Sequence, residues 1–175
     1  MGSLHLSYHP NFALLMQALR KYGESGGPNV KLTLRGGGIS LVKEGVMMEI
    51  LPWADEAAVA ADMTQADLLY LPLPFDTRFE TFVRLSLSTK LITYIASGVP
   101  ILYHGPARSA AADLLASNHA ALLVTELGVD PLLRALRSSI AERRAVASAA
   151  GDLARQQFQS DAVRRRFWAF YDATR

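Results

Sequence analysis

Apolar and polar positions in this chain follow two rhythms that trade places several times. Leu4-His-Leu-Ser-Tyr8 alternates and predicts a short strand. His9-Pro10-Asn11 reads as a turn, with Asn11 able to cap a helix. Phe12, Leu15, Met16 and Leu19 then recur at helical spacing until Gly23. After the loop Ser25 to Asn29, Val30-Lys-Leu-Thr-Leu34 predicts a second strand, closed by Gly36-Gly37-Gly38. Val46-Met-Met-Glu-Ile-Leu51 predicts a third. Pro52-Trp53-Ala54 connects it to an alanine-rich helix from Glu56 to Met63, which Asp55 can cap by accepting from a first-turn N–H.

The second half continues the alternation. Ala66 to Phe75 reads as a buried strand, and Asp76 to Arg84 as a long polar loop. Ser86 or Ser88 can cap a helix whose apolar face is Leu87, Leu91, Ile92 and Ile95. Gly98 suits the left-handed position past its end, and Pro100 forbids continuation. Ile101-Leu-Tyr103 is a strand, Ala107 to Ser117 a helix, Ala120 to Val124 a strand, and Asp130-Pro131 a capped helix start. The remainder is helical, with breaks at Gly151 and Ser160. Short apolar strands alternating with helices predict an α/β domain, a Rossmann-like parallel sheet of about six strands with helices on both faces. Ligands of such sheets bind at the carboxyl ends of the strands.

Composition narrows this picture. The chain has 175 residues, half of them apolar, enough for one compact domain over 1–175. The absence of cysteine removes disulfides and thiolate metal sites, and fits a reducing, cytoplasmic setting. No apolar run approaches the roughly 20 residues of a membrane span, and the first residues carry no signal-peptide pattern. Net charge is +2, unevenly spread. From Arg134 to Arg175 nine arginines face four acidic residues, giving +5 there and −3 before it. That basic helical tail is either a set of solvated faces or a surface for an anionic partner, the inner face of a membrane included.

Candidate chemistry centres on Ser88-Thr89-Lys90. There hydroxyls, the free amides of a helix start, the positive end of its dipole and a lysine converge, which suits a phosphate. Gly36-Gly37-Gly38 allows close backbone approach to a ligand or forms a plain turn. It lacks dinucleotide-fingerprint spacing. Trp53 stacks on a base or packs under a loop. His5, His9, His104 and His119 lack metal-ligand spacing, so no metal site is expected. Glu80 and Arg84, just before the helix, contact a ligand or pair with each other. No P-loop, nucleophile elbow or nucleic-acid-binding pattern is read.

The run Ser86-Leu-Ser-Thr-Lys-Leu-Ile-Thr-Tyr-Ile-Ala-Ser-Gly-Val-Pro-Ile-Leu102 resembles a stretch of GT-B glycosyltransferases, especially the retaining GT4-like group. Val30 to Gly38, Val46 to Trp53, Ala66 to Pro72 and Ala120 to Val124 are similar in order to the surrounding family elements. The resemblance implies the C-terminal, donor-binding domain alone, with the N-terminal acceptor domain outside this chain. It implies transfer of a hexose-like sugar from a nucleoside-diphosphate sugar, as in polysaccharide biosynthesis, with no metal or other cofactor. Ser88, Thr89 and Lys90 would hold the diphosphate and Trp53 would lie near the base, with Gly37 and His9 alongside. Lys90, Arg84 and Glu80 would serve the chemistry.

Two departures stand out. The family glutamate for the ribose hydroxyls falls on Thr93, and the earlier glutamate of the pair on Leu85. A threonine can hydrogen-bond a ribose without the strength of a carboxylate. The isolated chain is therefore expected to bind a nucleoside diphosphate weakly and not to turn over. The alternatives are a catalytically degenerate binding or regulatory module, and a nucleotide-sugar enzyme such as an epimerase.

Overall fold

The computed structural model describes residues 6–36 and 45–173. Over these residues the chain is α/β with parallel pairing throughout. Strands β1 (Lys31–Arg35) and β2 (Met47–Leu51) form one sheet, with Lys31 opposite Met47 and Arg35 opposite Leu51. Strands β3 (Leu69–Pro72), β4 (Ile101–His104) and β5 (Leu122–Val124) form a second sheet in that order. Helices α1 (His9–Glu24), α2 (Glu56–Thr64), α3 (Glu80–Leu85) and α4 (Thr89–Ala96) belong to the first half. Helices α5 (Ala110–Ser117), α6 (Val129–Leu136), α7 (Ile140–Leu153) and α8 (Ser160–Ala173) complete the chain.

The period of two in β4 sorts the core into two layers. Leu102 faces one way and packs with Leu122 and Val124 of β5, with Phe12, Leu15, Met16 and Leu19 of α1, and with Leu132 and Leu136 of α6. Leu32, Leu34 and Met48 of the smaller sheet pack against that same cluster. Ile101 and Tyr103 face the other way, onto Leu91 and Ile95 of α4, Ala111 and Leu115 of α5, and Ala150 and Leu153 of α7. All of β4 is buried, as a central parallel strand covered on both faces should be. The arrangement is Rossmann-like in its layers.

Among the described residues five of the six predicted strands are present: β2, β3 and β5 are shorter than expected, β1 is shifted by one residue and β4 runs one residue longer. Leu6–Tyr8 is a 3-10 turn running into α1, while Leu4 and His5 lie outside the described residues. The cause is Pro10. Its fixed φ and missing N–H suit the first helical turn, so His9-Pro10 starts the helix instead of turning the chain. The expected polar loop from Asp76 to Arg84 is also helical: Asp76 caps a 3-10 turn (Thr77–Phe79) that leads into α3. The helix predicted from Ala107 starts at Ala110, because the Ser109 hydroxyl accepts from the Ala112 N–H. Asp130 does not cap α6, whose cap position is Gly128. Gly151 lies inside α7; the break comes in a π-helical turn at Ala154–Phe158. Asp55 caps α2 as expected, and Gly98 has the expected positive φ of 75°.

Asn11 is not a cap either. It is fully buried in the third position of α1, and its amide donates to the carbonyls of Leu73 and His104, both at 3.0 Å. The Tyr70 hydroxyl lies 3.2 Å from the Asn11 carbonyl and 2.7 Å from Nδ1 of the buried His104 ring. Phe12 meets Tyr70 edge-on, and Phe75 meets His104 in the same way. This knot ties the start of α1 to the carboxyl ends of β3 and β4. Burial pushes the His104 imidazole down to about 4, opposed in part by a backbone contact with Glu126 that falls short of giving Nε2 a hydrogen-bond partner.

Two outcomes are expected. Asn11→Ala strands two buried carbonyls and should lower stability by about 3 kcal/mol, read as a denaturant-midpoint shift. The exposed neighbour Gln17→Ala should stay within roughly 0.5 kcal/mol of the parent. The second concerns acid. His104 stays neutral in the folded chain down to about pH 4 but takes a proton near 6.5 when unfolded. The unfolded state binds more protons between those values, so stability should fall by about 3 kcal/mol as pH drops through that window. Urea titrations at several pH values check this, and His104→Gln should flatten that part of the slope.

Candidate functional site

Helix α4 begins as the spacing of Leu91 and Ile95 predicts, and both side chains are fully buried under β4. Leu87 and Ser86 precede it. Ser88 occupies the cap position with extended backbone, yet its hydroxyl makes no capping bond. Elsewhere Asp55, Ser109 and Ser139 each accept from a first-turn amide of their helices. In α4 the Leu91 N–H is bonded to the Ser88 carbonyl at 3.0 Å. The Thr89 and Lys90 amides are thus left without an acceptor among the described residues. Thr89 is exposed and Ser88 half-buried, so the tip is open to solvent.

Lys90 gives this tip its electrostatic character. Its ammonium lies 5.9 Å from the centre of the Tyr8 ring, which stands at the cap position of α1. Burial pushes its pKa down, and no carboxylate pairs with it among the described residues. Burial also raises the Tyr8 hydroxyl. The starts of α1 and α4, each positive by its dipole, therefore meet around a partly desolvated cation. Such an arrangement is costly with no anion present and favourable with one. His9, the first residue of α1, is exposed at the same place.

A second group forms at the carboxyl ends of β1 and β2. Gly36 has φ of 107°, and the Trp53 ring lies beside it, so that a Cβ there would sit 3.4 Å from the indole. Trp53 is 56% exposed and presents its ring to solvent. Arg35 holds the two strand ends together by donating to the Pro52 carbonyl at 2.9 Å and by an ion pair to Asp62 of α2.

Several predicted site residues fall elsewhere. Arg84 pairs with Glu80 one turn away on α3 at 3.7 Å, both exposed, so the two satisfy each other. Thr93 is exposed on the outer side of α4, and Leu85 is among the most exposed apolar residues. Gly37 lies outside the described residues. A cavity of about 380 Å³ lies between β5, α6 and α7, and another of about 210 Å³ between α4 and the π-helical turn. Ser88, Thr89 and Lys90 line neither. No group of three metal-ligating side chains forms among the described residues.

Sequence reasoning missed Tyr8, Asn11 and His104. A signal existed for Asn11: a poor helix former inside a proline-started helix, amid apolar neighbours, needs a buried partner. No protein-family model matches this chain, and no curated protein matches it.

Proposed function

We propose that this chain is the donor-binding domain of a GT-B-like glycosyltransferase. It would move a hexose-like sugar from a nucleoside-diphosphate sugar to an acceptor held by a domain outside this chain. One observation carries the reading above the others: Lys90, partly desolvated and without a carboxylate partner among the described residues, stands at an uncapped helix start. The layered α/β order, with that tip at the carboxyl ends of the strands, supports it. So does the indole of Trp53, exposed beside Gly36 where a base could stack.

The chemistry proposed is electrostatic. The Thr89 and Lys90 amides and the Lys90 ammonium would bind the diphosphate and stabilise the charge that grows on it as the sugar leaves. Arg84 and Glu80 are left out of this version, since the one contact between them is an exposed pair at 3.7 Å and no contact among the described residues brings either to the α4 tip. A second reading, a degenerate nucleotide-sugar-binding or regulatory module, is favoured by the threonine and leucine at 93 and 85, where the resembled family has glutamates.

Calorimetric titration with UDP, GDP and ADP tests the proposal. One of them should bind with a dissociation constant of roughly 0.1–1 mM, inorganic pyrophosphate should compete, and the matching nucleoside should not bind. Lys90→Met should weaken binding by on the order of 10-fold or more, the scale of a charge-assisted contact. Silence with all three nucleotides would contradict the donor-domain reading and leave the module.

A further inference from the structure

Tyr8 stands where the two helix starts meet, and the electrostatic scheme above gives it no task. It holds the cap position of α1, yet its side chain makes no capping bond. Its ring is half-buried and packs against the core cluster of α1, β5 and α6. Asn11, three residues on, ties this turn to the ends of β3 and β4. The ring is therefore placed by the core before any ligand arrives. The Lys90 ammonium lies over its face, 5.9 Å from the ring centre. Burial raises the Tyr8 hydroxyl, so the ring is neutral at ordinary pH.

We propose that Tyr8 is a positioning residue for Lys90: the face of its ring holds the ammonium, charged and in place, between the starts of α4 and α1, and so sets the affinity of that site for anions. A partly buried lysine needs something to offset its lost hydration. A carboxylate would do this and cancel the charge, leaving little for an anion to meet. A ring face attracts the ammonium through its quadrupole and adds no net charge. It also restricts the rotamers of a long side chain, so less freedom is lost when an anion binds. No carboxylate pairs with Lys90 among the described residues, and His9 is exposed at the same place. For the identity of the anion this role rests on the diphosphate reading, to which it adds the residue that readies the cation.

Two measurements on the 175-residue chain test it. The first is NMR titration with inorganic pyrophosphate. Tyr8→Leu should weaken binding about threefold, and Tyr8→Phe should restore the parent affinity. In a Lys90→Met background Tyr8→Leu should have no further effect, because the ring acts through the ammonium. A merely structural loss at the start of α1 would show in both backgrounds. The second is the NMR pH titration of the Lys90 side chain, which needs no ligand. The ring favours the charged form, so Tyr8→Leu should lower the midpoint by about half a pH unit, and Tyr8→Phe should leave it in place. Tyr8→pentafluorophenylalanine keeps the ring's shape and reverses its quadrupole. It should match Tyr8→Leu, and it decides if Tyr8→Leu unfolds. A chain that binds no pyrophosphate contradicts the diphosphate reading, and the Lys90 titration still decides whether the ring holds the ammonium. An unmoved midpoint, a Tyr8→Phe variant as weak as Tyr8→Leu, or equal losses in both backgrounds would overturn the role of Tyr8.

Discussion

A primary amide in the first turn of α1 holds the carboxyl ends of two strands. Asn11 donates to Leu73 and His104, and its own carbonyl lies within reach of Tyr70, whose hydroxyl also meets the His104 ring. In a buried setting each of these groups would be costly alone, and together they satisfy most of one another. The knot fixes where α1 begins relative to β3 and β4. It therefore fixes Tyr8, three residues earlier, against which Lys90 rests. The geometry of the candidate site is inherited from this contact more than from any residue within it.

The site turns on an imbalance of charge. Proteins bury cations readily when a carboxylate stands opposite, and Lys90 has none among the described residues. It faces a phenol ring and two helix starts of its own sign. An anion that bridges the α4 amides and the ammonium relieves all of this at once. The exposed indole at Gly36 supplies a stacking surface at the ends of the other sheet.

Much of the architecture is legible in the periodicity. The strands β3 to β5 and the helices α1, α4 and α5 arise from runs whose apolar residues are largely the buried ones, whereas Met47 and Ile50 of β2 are exposed. The illegible parts depend on contacts distant in sequence. Pro10 reads as a turn residue in isolation, and only its place in a first helical turn shows otherwise. Asn11 reads as a cap because the carbonyls it holds are 62 and 93 residues away. The Asp76 to Arg84 stretch reads as a loop because its apolar residues are few, yet Val83 is buried in the core and holds α3 in place. At the site, the open tip of α4 is legible from Ser88, Thr89 and Lys90. The pairing of Arg84 with Glu80, one of the two readings open in the sequence, depends on α3 forming, since a helix brings residues four apart together.

An anion held between the starts of α4 and α1 is the central claim. Amide chemical-shift mapping with inorganic pyrophosphate measures this most directly. The largest shifts should fall on Thr89 and Lys90, with smaller ones at the start of α1. Shifts concentrated in the cavity beside β5, or none anywhere at millimolar pyrophosphate, would contradict it.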